Sequence, residues 1–251
     1  MTDNSANDLV SASAILALAF APGQRPDVEA ILALSGRDEL QMSFTVTHAQ
    51  TEGDPWVELL TGGLAFDCRG LSPGSFGFPT GEAALLGLGQ APTGEAITLE
   101  PAPHLAEGKG LLPVVRAMAG LGAQLCDLPG VGGVYWQPAK CWMAPKYFAG
   151  VVWEWLKGGP FPALGLTSLR HGEGGTMVSV GLDYLIGQEL LFTPNRRLAP
   201  AALARIAVRL VNDLVSSGAL QRPAELRGPE GELIEVVPSH DGRQLRVSVT
   251  T

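Results

Sequence analysis

The chain has 251 residues, of which 46% are apolar and only 17% charged, so it is long enough to bury a large core without a metal or disulfide staple, and wholesale disorder is excluded. Its 25 acids against 17 bases give a formal charge of -8, and the Lys and Arg are scattered apart from the Arg196-Arg197 pair. Nucleic acid, which needs a basic footprint, is therefore not an expected partner.

Cys68, Cys126 and Cys141 are an odd number of widely spaced thiols with no CxxC, which suits free cysteines in a reducing cytoplasm. The residues before the apolar stretch Leu9 to Phe20 include Asp3 and Asp8 and no Lys or Arg, opposite to a secretory leader. No apolar run approaches the roughly 18 residues of a membrane span. A cytoplasmic protein without membrane contact is the expectation.

After a polar start through Asp8, the continuous apolar run Ala14 to Ala21 predicts a strand buried on both faces, closed by Pro22-Gly23. Val28, Ile31 and Leu32 then fall at helical spacing within Asp27 to Leu34, and Gly36 ends that helix. Leu40, Met42, Phe44 and Val46 alternate with polar residues, predicting a half-buried strand over Leu40 to Thr47. Trp56 to Cys68 is apolar but divided by Gly62-Gly63, and Leu71 to Gly94 has little period; it reads as irregular cover over the core or as a flap.

From Glu95 the pattern sharpens. A strand is expected over Ala96 to Glu100. A helix follows from about Gly110, with Leu111, Val115, Met118, Leu121 and Leu125 along one side and Pro113 in its first turn. Gly130 to Trp136 is a strand, and Pro145 to Lys157 a helix stopped by Gly158-Gly159-Pro160. Leu164 to Leu169 and Met177 to Phe192 read as strands joined by the loop His171 to Gly175. Pro200 to Ser217 is a helix with the stripe Leu203, Ile206, Ala207, Leu210, Val211 and Leu214, and a hairpin closes the chain about Asp241-Gly242. The mixture predicts an α+β fold, a mixed or largely antiparallel sheet covered by helices. It spans residues 9–251 as one unit or as two sheet-and-helix halves, 9–94 and 95–251.

Gly133-Val134-Tyr135-Trp136 and Gly181-Leu182-Asp183-Tyr184-Leu185-Ile186-Gly187-Gln188-Glu189 carry a family signature. In these motifs and their order, over residues 110 to 220, the chain resembles the bacterial family catalogued as domain of unknown function 4261 (DUF4261). In that family a "VYW" strand precedes a strand with a glycine, an aromatic residue, a second glycine and a glutamate, whereas here Ile186 stands before the second glycine. The resemblance implies an intracellular α+β domain and no activity.

Candidate chemistry is sparse. His48, His104, His171 and His240 fall on four separate elements without ligand spacing, so no metal and no cofactor is expected. Cys141 follows Lys140 near a helix start, where a thiol pKa would fall; it is the weak candidate nucleophile, against an inert thiol beside aromatics. The glycines at 130–133 and 172–175 suit turns and bulges, not a phosphate loop. Glu154 is a further carboxylate near the motif. Asp183 and Glu189, on one strand, would stand roughly 20 Å apart, too far to act on one bond.

The aromatic residues offer more. Tyr147, Phe148, Val151, Val152 and Trp155 make one stripe of the helix at 145, whereas Trp153 lies about 160° from Trp155 and shares its side with Lys146, Ala149, Gly150 and Lys157. Trp153, Lys146, Lys157 and the neighbouring Trp142 are thus candidate binding residues, against the alternative that residues 71 to 94 cover Trp153. The expected function is a non-catalytic domain that binds a protein partner or itself. The alternative is a small-molecule-binding protein or cysteine-dependent enzyme with a pocket near residues 131–142, drawing on Cys141, His104 or Asp183.

Overall fold

The computed structural model describes residues 14–37, 39–195 and 198–250; the polar start and the Arg196-Arg197 pair lie outside the described residues. The fold is α+β, and the chain divides into two compact units, Met1–Gly159 and Pro160–Thr251.

The first unit runs β1 (Leu16–Phe20), α1 (Val28–Ser35), β2 (Thr45–Gln50), β3 (Trp56–Thr61), β4 (Leu64–Arg69), β5 (Ala84–Leu86), β6 (Glu95–Pro101), α2 (Leu112–Leu125), β7 (Val131–Trp136), β8 (Cys141–Met143) and α3 (Pro145–Leu156). The strands form one sheet in the order β2-β3-β4-β6-β1-β7-β8-β5, antiparallel except where β5 meets β8. A division at residue 94/95 is therefore corrected: β1 is inserted between β6 and β7, so the halves 9–94 and 95–251 would share a single sheet.

β1 explains why both faces of this sheet are covered. Leu16, Leu18 and Phe20 point one way and Ala17 and Ala19 the other, and all five are buried. The large side chains meet the helices: a Cβ at Gly122 of α2 would lie 2.5 Å from Leu16 Cδ1 and 3.3 Å from Phe148 of α3. Glycine at 122 is thus what lets α2 approach. The alanine side leaves a shallow surface, where Ala17, Ala19, Ala96, Tyr135 and Trp142 pack against Phe78, Ala83 and Leu88. Apart from the short strand β5, the stretch 71–94 is irregular cover.

The alternating stretch Leu40 to Thr47 is not the strand its pattern predicts; β2 begins only at Thr45. The amide oxygen of the buried Gln124 accepts from the backbone N–H of Gln41 (3.0 Å) and Met42 (3.2 Å), taking both donors out of any ladder.

The second unit contains the kinked turn α4 (Ala163–Leu166), β9 (Ser168–His171), β10 (Met177–Val180), the single turn α5 (Asp183–Ile186), β11 (Glu189–Phe192), α6 (Pro200–Ser217), β12 (Ala224–Arg227), β13 (Leu233–Pro238) and β14 (Gln244–Thr250). Its sheet has the order β12-β13-β14-β11-β10-β9, with β11 and β14 parallel. α6 buries Ile206, Ala207, Leu210, Val211 and Leu214, as its period predicts. Two strand expectations are corrected. Leu164 to Leu169 is a turn before β9, because Gly165 at φ 119° breaks the extended chain. Met177 to Phe192 is strand, helical turn and strand, broken by Gly181 and Gly187 at φ 92° and 77°. Among the described residues no helix is long and apolar enough to cross a membrane.

Candidate functional site

Pro145 opens α3, whose Phe148, Val152 and Trp155 are buried while Tyr147 and Val151 are half-buried. Its C-terminal end is held by Arg116 of α2: Nη2 donates to the carbonyls of Trp155 (3.4 Å) and Leu156 (3.2 Å), and the guanidinium lies 4.7 Å over the Trp155 ring. This clamp fixes which side of α3 faces inward. Trp153 is left half-buried, with Lys146, Gly150 and Lys157 exposed on the same side. A Cβ at Gly150 would meet nothing within 4 Å.

The remaining candidates separate from this face. Trp142 is corrected as a binding residue: it lies on β8, 2% exposed, with its ring 5.5 Å from Phe78 and 4.9 Å from Tyr135. β8 pairs with both β7 and β5, which fixes Trp142 inside the sheet rather than at the mouth of α3. Cys141 on the same strand has 0% exposure and contacts the Trp142 carbonyl, so no substrate reaches its sulfur. Burial also pushes the thiols of Cys68 and Cys126 up to about 12, with Asp67 and Asp127 adding to it, so neither is a thiolate at neutral pH.

All four histidines are exposed, on separate elements; His48 packs its ring 5.0 Å from Trp56. Among the described residues no three of His, Cys, Asp and Glu gather to hold a metal. Glu154 is exposed.

The glycines at 130–133 do form a bulge, since β7 shifts register against β1 between Ala19 and Phe20. Beside it lies a cleft of about 340 Å³ between the irregular cover and β7, lined by Ala19 to Ala21, Leu88, Gln90 to Thr93, Gly130 and Gly132. No titratable side chain lines it, and Cys141, His104 and Asp183 are not among its walls.

Asp183 and Glu189 are not 20 Å apart. Because α5 folds the chain back, Glu189 Oε1 accepts from the backbone N–H of Gly181 (2.6 Å) and Asp183 (3.2 Å), while Oε2 accepts from the Ser179 hydroxyl. Ser179 in turn accepts from Leu190 N at 2.7 Å. Burial raises the Glu189 carboxyl to about 7, opposed by the Ser179 hydrogen bond and reinforced by the Asp183 side chain. The arrangement ties the turn together, and it gives a physical reason for a glycine and a glutamate at the two ends of the second motif. Alternation alone hid it, because period 2 assumes an unbroken strand.

Comparison of the chain with protein-family models, with curated proteins and with solved structures finds no match.

Proposed function

We propose that the protein is a non-catalytic, intracellular binding domain that meets a protein partner, or a second copy of itself, through the outer side of α3. The observation that carries this reading is the open surface at Gly150, beside the half-buried Trp153 and between the exposed Lys146 and Lys157. An indole next to small residues gives contact area at little entropic cost, and two lysines favour an acidic counterpart. The sealed Cys141 and the structural use of Glu189 favour binding over catalysis. The resemblance to DUF4261, which implies no activity, is part of the same proposal.

Trp153→Ala tests it. With mass followed by light scattering and stability by thermal melting, assembly or partner capture is lost while the midpoint of the monomer stays within a few degrees of the parent. A large fall in the midpoint with mass and partner capture unchanged would mean that Trp153 belongs to the core.

A second reading, a small-molecule-binding protein, is favoured by the cleft beside Gly132. Its walls offer apolar surface from Ala19, Leu88 and Pro92, and polar groups from Gln90 and Thr93. Such a lining suits an uncharged, mainly apolar ligand.

A further inference from the structure

The edge of the second unit's sheet carries a pattern that neither reading above uses. β12 is the last strand of that sheet and pairs on one side only, with β13. Around it the chain reads Pro223-Ala224-Glu225-Leu226-Arg227-Gly228-Pro229, which is symmetric about Leu226 by residue type. An acid and a base flank Leu226, a small residue follows on each side, and a proline closes each end. Such a segment is complementary to a second copy of itself laid antiparallel across Leu226.

The backbone suits that pairing. Gly228 N–H donates to Glu232 O at 2.8 Å, and in an antiparallel ladder such bonds fall on alternate residues, so Leu226 and Ala224 also turn their N–H and C=O groups to β13. Those of Glu225 and Arg227 therefore point out from the sheet edge. A twofold axis through Leu226 sets Glu225 of each copy opposite Arg227 of the other, and each such pair then exchanges both of its N–H···O bonds. Pro223 and Pro229 have no N–H, so the ladder stops at both ends in the same step.

The side chains match as well. Glu225 and Arg227 project on one face, both exposed and in no ion pair among the described residues. Within the chain Glu225 stands opposite Glu235 of β13, a like-charge pair that opposes the sheet. Across the joined edges Arg227 of the second copy arrives on the other side of Glu225 and answers that repulsion. Leu226 projects on the opposite face, 38% exposed beside Ile206 and Leu210 of α6, where it meets its own symmetry mate. An edge with charges of one sign resists pairing, whereas this edge places opposite charges where they meet.

We propose that β12 is a self-association edge, through which two copies of the chain join their six-stranded sheets into one continuous sheet. The surface is separate from the outer side of α3. A join of one short strand per copy is smaller than a permanent interface, so the dimer is weak and depends on concentration.

Sedimentation velocity of the full chain over a concentration series tests it. A monomer–dimer equilibrium with a Kd on the order of 100 μM or tighter is expected. Glu225→Arg and Arg227→Glu each set like charges opposite one another and weaken the dimer about tenfold or more. Both residues are exposed, so the variants keep the parent's thermal midpoint. Mixed one to one, the two variants recover the dimer, because each supplies the charges that the other lacks. Trp153→Ala leaves this equilibrium unchanged. A parent that stays monomeric up to about 1 mM would overturn the proposal. So would a dimer that neither charge variant weakens, or a mixture that associates no better than its components. Loss of the dimer in Trp153→Ala with both charge variants still dimeric would place self-association on α3 instead.

Discussion

Glu189 shows how one side chain sets both local shape and pH response. Its carboxyl is raised from an ordinary 4.5 to about 7 because burial disfavours the charge, against the pull of the Ser179 hydroxyl. A raised value in the folded state means that the stabilising contribution is complete below about pH 4.5 and is lost as pH rises through about 7. Glu189→Gln keeps the acceptor for Gly181 and Asp183 and mimics the protonated acid. The variant should match the parent near pH 4.5 and exceed it by about 3 kcal/mol at pH 8 in denaturant unfolding, the worth of the shift from 4.5 to about 7. Two stability curves that run parallel over that range would show that the carboxyl does not titrate there. Gln188, next to it, is fully used: its amide donates to Leu220 O (3.0 Å) and Gly242 O (2.8 Å) and accepts from Leu220 N (2.8 Å).

For elements, the irregular segment 71–94 depends on a residue far from it in sequence. Arg25 pairs with Glu95 (2.8 Å) and donates to the carbonyls of Gly70, Gly74 and Ser75, with its guanidinium 4.7 Å over Phe76. Its side chain is only 6% exposed, so Arg25→Ala strands a half-buried carboxylate and several carbonyls. A loss of about 3 kcal/mol is expected in chemical denaturation, with proteolytic nicking appearing first within 70–76. A change under about 0.5 kcal/mol would show the segment to be held by its apolar contacts alone. Nothing in the local sequence of 71–94 announces this anchor. The same applies to Gln124, whose amide oxygen moves the start of β2 to Thr45 by capturing two N–H groups some 80 residues earlier in the chain. By contrast, α3 and α6 were legible, because their burial repeats at the helical period and proline opens each, and α2 was legible from its opening proline and apolar spacing, although residues 118–125 are buried all round and Leu111 is exposed ahead of it.

For the molecule as a whole, the boundary at Gly159/Pro160 leaves each sheet complete within its own unit. Residues 160–251 expressed alone should therefore unfold cooperatively, by circular dichroism against temperature. A fragment of 95–251 should instead bind apolar dye, since β6 and β7 would lack the β1 strand between them. Failure of 160–251 to fold, with a well-behaved 95–251, would put the division elsewhere. The boundary was visible as Gly158-Gly159-Pro160, but that run read only as a helix stop, because strand order cannot be seen in a linear pattern.

By itself the sequence determined the α+β class, the long helices, the doubly buried first strand and the side of α3 on which Trp153 lies, all of which follow from local periodicity and turn chemistry. Only tertiary structure decided that Trp142 and Cys141 are sealed, that Glu189 folds back toward Asp183, and that Glu225 stands opposite Glu235. These are meetings of groups brought together by strand order and reversal of the chain, and no local period encodes which strands become neighbours.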